Sequence, residues 1–256
     1  MNIFRTLDFF LKIQSSCIVV WYFSGFSSYL FSDKLINQIM KKFAVVLSGC
    51  GVYDGAEIHE AVMTLYAIEK HGATYQCFAP DIEQAHVINH YIGEIVDEKR
   101  NVLAESARIA RGRIKPLSAF SALEYDAIVF PGGFGAAKNL STYAFSNGDG
   151  YEVNTEVAAV IREMVAERKP VGAMCIAPVI VAEVLDDVQV TVGHDEGTAL
   201  AIERTGAKHI NTGIGQVTVD TKHRVYTTAC YMQDKTLVEI AESTSNLIER
   251  MMADLK

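Results

Sequence analysis

From Phe43 onward the chain alternates short, largely apolar runs with longer stretches that are apolar on one face only. Runs such as Phe43–Leu47, Thr74–Phe78 and Asp126–Phe130 are too short for helices. Their length and largely apolar character, continuous in Phe43–Leu47, are those of strands covered on both faces. Between them, Ala56–His71, Asn101–Ala110 and Glu152–Arg168 read as helices. In the first of these, Ile58, Val62, Leu65 and Ile68 are expected on one face, and Gly72 is expected to end it. The pattern continues with strands at Pro170–Met174, Gln189–Val192, Val217–Asp220 and Arg224–Thr228. Helices follow at Ile176–Leu185 and from Gln233 to the C-terminus. Such alternation demands a mostly parallel sheet with helices on both faces, and right-handed crossovers make it doubly wound. No repeat or linker interrupts residues 40–256, so one domain is expected there.

Ligands in such a sheet sit beyond the carboxyl ends of the strands. Three loops occupy those positions: Ser48–Glu57, Pro131–Asn139 and Cys175–Pro178. In the third, the run Val171-Gly-Ala-Met-Cys175-Ile-Ala-Pro178 is a strand, a tight turn and a helix start. A thiol at a helix N-terminus meets unpaired N–H groups and the positive end of the macrodipole, which lower its pKa. This is the thiol counterpart of a nucleophile elbow. Cys175 is therefore the candidate nucleophile. The N–H groups of Gly132, Gly133 and Ile176 are candidate donors to an oxyanion, since glycines allow close backbone approach. The remaining cysteines, among them Cys50, Cys77 and Cys230, read as packing residues.

Composition narrows the functional classes. With 23 basic and 31 acidic residues the net charge is −8, and no basic stripe suited to nucleic acid is visible. Five cysteines without a CxxC pair argue against a disulfide framework or a structural zinc, and imply free thiols in a reducing compartment, here the cytoplasm. No histidines share ligand spacing with a carboxylate, so no metal or other cofactor is expected.

Residues 1–39 differ from the rest. They hold the single Trp and many aromatics, and the apolar stretch 17–26 is shorter than the ~20 residues of a spanning helix, so stable membrane insertion is not expected. A secretory signal would want a small-residue cleavage site, and a mitochondrial presequence more arginine and no acid. Met40-Lys-Lys-Phe-Ala-Val-Val-Leu47 looks like an ordinary protein start. The segment 1–39 is read as an upstream extension or a leader, outside the domain of residues 40–256.

Several motifs together resemble a known family. They are Ser48-Gly-Cys-Gly-Val-Tyr-Asp-Gly-Ala-Glu-Ile-His-Glu60, Cys77-Phe-Ala-Pro-Asp81, Val87-Ile-Asn-His90, Arg100-Asn-Val-Leu103, Pro131-Gly-Gly-Phe-Gly-Ala-Ala-Lys-Asn-Leu140 and Met174-Cys-Ile-Ala-Pro178. They are similar to the ElbB glyoxalase (isoprenoid biosynthesis) family, within the PfpI-like class I glutamine amidotransferase-like superfamily. The resemblance runs from Met40 through nearly the whole chain. It implies a flavodoxin-like sandwich, a small dicarbonyl substrate, and conversion of glyoxal to glycolate without glutathione or metal. Superfamily members pair the cysteine with a glutamate after the first strand, and Glu57 fits that place, with Glu60 the weaker candidate. Many members carry histidine directly after the cysteine. Ile176 stands there instead, which implies a slow enzyme unless His194, about twenty residues on, reaches the thiol. A redox-sensing protein with the same residues is the rival reading. A glutaminase is disfavoured, because His194-Asp-Glu196 follows Cys175 too closely. A homodimer is compatible with the composition.

Overall fold

The computed structural model describes residues 40–255, together with two short strands, Ile13–Gln14 and Cys17–Ile18, that pair antiparallel. The expectations for the rest of residues 1–39 lie outside the described residues. Residues Lys41–Lys256 form one compact unit.

Seven strands make the central sheet: β1 (Lys42–Val46), β2 (Thr74–Ala79), β3 (Ile114–Pro116), β4 (Ala127–Phe130), β5 (Val171–Met174), β6 (Thr218–Asp220) and β7 (Val225–Thr228). Their order is β6-β7-β5-β4-β1-β2-β3, and every pairing is parallel except β6 with β7. The helices are α1 (Ile58–Lys70), α2 (Val102–Ile109), α3 (Phe134–Lys138), α4 (Thr155–Ala166), α5 (Pro178–Val184), α6 (Glu196–Arg204) and α7 (Leu237–Ala253). This is the doubly wound sandwich of the class I glutamine amidotransferase-like fold.

Period-two alternation along each strand divides the core. Ala44 and Val46 join one apolar cluster with Val157, Ile161 and Met164 of α4 and Ile180 of α5. Phe43, Val45 and Leu47 join the other, with Leu65 and Ile68 of α1 and Leu247, Ile248 and Met251 of α7. The central strands β1, β4, β5 and β7 are thus buried on both faces, which is why they read as largely apolar runs.

Helix α1 ends as Gly72 requires. The N–H of Ala73 bonds to Ile68 O at 3.0 Å and that of Gly72 to Glu69 O at 3.0 Å, the paired bonds of a left-handed glycine stop (φ 78°). The buried face of α1 differs from the expected one. Ile58 and Val62 are exposed, and Glu60, Ala61, Thr64, Leu65, Ala67 and Ile68 face inward. The small residues Ala61, Thr64 and Ala67 let α1 lie close to its neighbours.

Three further differences have local causes. The edge strand β3 is three residues ending in proline, too short to show a period. Gln189–Val190 pairs with Lys208–His209 outside the main sheet. The polar stretch after Gly193 opens α6, whose N-cap Asp195 accepts from Thr198 N at 2.8 Å.

Candidate active site

The parallel strands β1, β4, β5 and β7 present their carboxyl ends at one edge. Their loops, 47–57, 131–133, 175–177 and 229–232, meet there. The first two interlock through backbone bonds: Glu57 N to Gly132 O (2.9 Å), Phe134 N to Val52 O (2.7 Å) and Gly135 N to Gly55 O (2.8 Å). No side chain fits between them. A Cβ on Gly133 would lie 2.3 Å from Glu57 N, and Gly133 also has φ 96°. Asn139, just beyond α3, ties the loops from beneath. Its Nδ2 donates to Ser48 O and Asp54 O, each at 2.8 Å, and its Oδ1 accepts from Ala85 N at 2.9 Å.

Cys175 follows β5 with φ 58°, its N–H donating to Thr228 O at 3.1 Å. Left-handed backbone is uncommon for a residue with a Cβ and marks a strained turn. The thiol is nearly sealed, with the residue 7% exposed. The backbone N–H groups of Gly133 and Ile176 favour its thiolate form.

The carboxylate that meets this thiol belongs to Glu60. Glu60 is fully buried; its Oε2 accepts from Gly132 N and its Oε1 from Tyr231 N, both at 3.0 Å. A Cβ built on Gly132 would fall 2.4 Å from Cys175 Cβ, 2.9 Å from its Sγ and 2.5 Å from Glu60 Oε2. One point thus lies within contact of both groups, and residue 132 has to be glycine for them to meet. Burial lifts the Glu60 carboxyl to about 8, against the pull of the Tyr231 N–H; the Glu57 charge adds to the rise, and hydrogen bonds from Cys175 and Gly132 oppose it.

Glu57 lies elsewhere in the same turn. It is the N-cap of α1, and its Oε2 accepts from Glu60 N at 2.6 Å. Its Oε1 stands 3.8 Å from His59 Nδ1, and that nitrogen is 3.1 Å from Tyr231 Oη at the mouth of the site. The carboxyl expected beside the thiol is thus one turn further along the helix, because Glu57 is committed to capping.

Three other expectations are corrected. The N–H of Gly132 is held by Glu60, which leaves Gly133 and Ile176 as the backbone donors that favour the thiolate. The Cys175 thiol is not lowered: burial first, then the Glu60 charge, push it well above its ordinary value. Helix α5 begins only at Pro178 after a turn, so Cys175 stands outside its first turn, in a site almost closed to water. His194 is exposed in the turn before α6 and makes no hydrogen bond to Cys175; the group that feels its charge is His209. Among the described residues no cluster of three or more His, Cys, Asp or Glu is arranged to hold a metal, and no helix is long and apolar enough to cross a membrane.

Over 221 residues the chain is 48% identical to the ES1 protein homolog, mitochondrial, of Rattus norvegicus, covering 82% of this chain and 83% of that protein. It belongs to the ES1 family. The human member, glutamine amidotransferase-like class 1 domain-containing protein 3, mitochondrial, is also 48% identical over 221 residues, covering 82% of each chain. Among solved structures, an isoprenoid biosynthesis protein with amidotransferase-like domain from Ehrlichia chaffeensis superposes with a TM-score of 0.78 at 34% identity, covering 83% of this chain and 99% of that one. No family model matches the sequence. ES1 relatives from rat and human are named as mitochondrial, which overturns the cytoplasmic reading. That reading rested on free thiols, and a reducing organelle preserves thiols equally well.

Proposed function

We propose that this ES1-family protein is a glutathione-independent glyoxalase of the kind the ElbB resemblance implies, turning glyoxal into glycolate through Cys175. The observation that supports this reading is the convergence around Gly132 of the Cys175 thiol and the buried Glu60, whose carboxyl pKa is lifted by burial to about 8. A carboxyl with that pKa can both take and return a proton near neutral pH. The narrow, sealed site suits a substrate of a few atoms.

In the proposed reaction Glu60 takes the thiol proton as sulfur adds to one aldehyde carbon. The resulting oxyanion is held by the Gly133 and Ile176 N–H groups and then protonated by Glu60, giving a hemithioacetal. Glu60 next removes the hydrogen from that carbon. The enediol so formed is protonated at the neighbouring carbon, which leaves a thioester of glycolate. Water releases glycolate and restores the thiol, so one glyoxal and one water give one glycolate. The raised thiol pKa and the absence of a histidine beside it agree with a slow enzyme.

A redox-sensing role is the second reading. It is favoured by the same protonated Glu60, which would donate to an oxidised Cys175 sulfur. A steady-state assay with glyoxal, glutathione omitted, separates the two. Glycolate formation is expected in the wild type, lost in Cys175→Ser and reduced 100-fold or more in Glu60→Gln, with Glu57→Gln losing less than tenfold. No turnover by the folded wild type would remove the glyoxalase reading.

We further propose a mitochondrial location, with residues 1–39 serving as leader rather than upstream read-through. A homodimer formed through the exposed Ile58, Val62 and Tyr66 stripe of α1 is also proposed.

A further inference from the structure

The fourth loop of the site carries a thiol that the proposed reaction does not use. Cys230 is completely buried two residues beyond the end of β7 and, like Cys175, has a positive φ, here 41°. Both cysteines therefore hold a backbone conformation unusual for residues with a side chain, at the ends of neighbouring strands.

Register brings them together. Strands β5 and β7 are parallel with Met174 opposite Thr228, and the Cys175 N–H continues the ladder to Thr228 O at 3.1 Å. The two cysteines thus leave adjoining strand ends, and the Cys230 thiol is near enough for its charge to act on that of Cys175.

The side chains also share a face. Met174 Sδ accepts from Thr64 of α1 (3.7 Å) and Thr244 of α7 (4.0 Å), so it points toward those helices. Strand alternation would send residue 175 to the opposite face, but its left-handed turn keeps Cys175 in the same apolar cluster as Met174. Cys230 Sγ lies 3.8 Å from Thr244 Oγ1, in that cluster too. The Glu60 carboxyl spans the interval: one oxygen is bound to Gly132 N, beside Cys175, and the other to Tyr231 N, next to Cys230.

We propose that Cys230 is the resolving thiol of Cys175, closing a reversible disulfide inside the site when Cys175 is oxidised. A hydroperoxide is the oxidant. Its terminal oxygen passes to the Cys175 sulfur, giving a sulfenic acid and releasing the alcohol or water. The Cys230 sulfur then displaces hydroxide from that sulfur, its proton leaving through Glu60 to make water. Two thiols and one hydroperoxide yield one disulfide, one alcohol and one water. A dithiol reverses the bond, whereas sulfinic acid, the alternative fate of a lone sulfenic acid, is not reversed by thiols. This proposal needs only a Cys175 that peroxide reaches, and is independent of the glyoxal reaction.

The test treats the full chain with a modest excess of hydrogen peroxide, blocks free thiols with a maleimide under denaturing conditions, and reads intact mass and tryptic peptides. The expected product is lighter by two hydrogens before blocking, contains a linked Cys175–Cys230 peptide pair, and returns to the starting mass with dithiothreitol. In Cys230→Ala, with its fold checked by circular dichroism, Cys175 is expected to gain two oxygens irreversibly. Irreversible sulfinic acid at Cys175 in the wild type, without a linked pair, would overturn the proposal. So would a linkage from Cys175 to Cys50. The wild-type map decides the matter even if the variant folds poorly.

Discussion

Replacing Glu60 by glutamine is expected to destabilise the protein in acid and stabilise it above neutrality. In the unfolded chain the carboxyl titrates near 4.5, and in the fold it titrates at about 8. The folded state therefore binds the proton more tightly. The stability this contributes is fully present below pH 4.5 and is lost as pH rises to about 8, at about 1.4 kcal/mol per pH unit for one proton. Over the whole window the loss is on the order of 5 kcal/mol. Glutamine removes that dependence. It also offers only one acceptor to two backbone donors, Gly132 N and Tyr231 N, so its NH2 must oppose one of them, at a cost of about 1–3 kcal/mol. At pH 5 that cost dominates and the wild type is the more stable. By pH 8 the buried charge dominates and the variant is the more stable, with the curves crossing at about pH 5–7. Urea unfolding of both proteins at pH 5, 6, 7 and 8 measures this, and the difference between them cancels the contributions of all other titrating groups. Parallel stability–pH curves would refute the reasoning, because they would mean that Glu60 ionises alike in the folded and unfolded chain.

Two smaller perturbations bear on the same geometry. Gly132→Ala places a methyl 2.5 Å from Glu60 Oε2 and 2.4 Å from Cys175 Cβ, so turnover should fall at least 100-fold while thermal stability drops by an overpacking cost of about 1–3 kcal/mol, read by steady-state kinetics and calorimetry. His194→Ala should leave kcat/KM within twofold, since the ring is exposed and has no bond to the thiol; a tenfold loss would return it to the reaction.

The sheet was legible because burial on both faces leaves apolar runs with no ambiguity of side: β1, β2, β4, β5 and β7 lie within a residue or two of where the sequence places them. The elbow at Cys175 was legible because a thiol follows such a run directly, with small residues for a tight turn and Pro178 opening the next helix. The partner acid was not. Glu57 stands at the start of α1, where its backbone position makes it a cap, and the inward stripe Glu60, Thr64, Ile68 at four-residue spacing was masked by the apolar but exposed Ile58 and Val62. The small residues Ala61 and Thr64, buried beside it, are the signal of that stripe. Tyr231 and Cys230 left no local signal, because their place in the site comes from the pairing of β7 with β5, a contact between segments more than fifty residues apart. His194 matched by spacing alone, which does not fix the direction of a loop.

Asn139 connects Ser48 and Asp54, at the two ends of the first loop, to Ala85 of a neighbouring segment. One amide side chain thus acts as a shared fastener, and none of the three can swing outward without releasing it. The rim consequently breathes as a whole or not at all. In hydrogen–deuterium exchange the amides of Gly51, Gly55 and Ala85 should lose protection together, at a single rate, well before the strands beneath them.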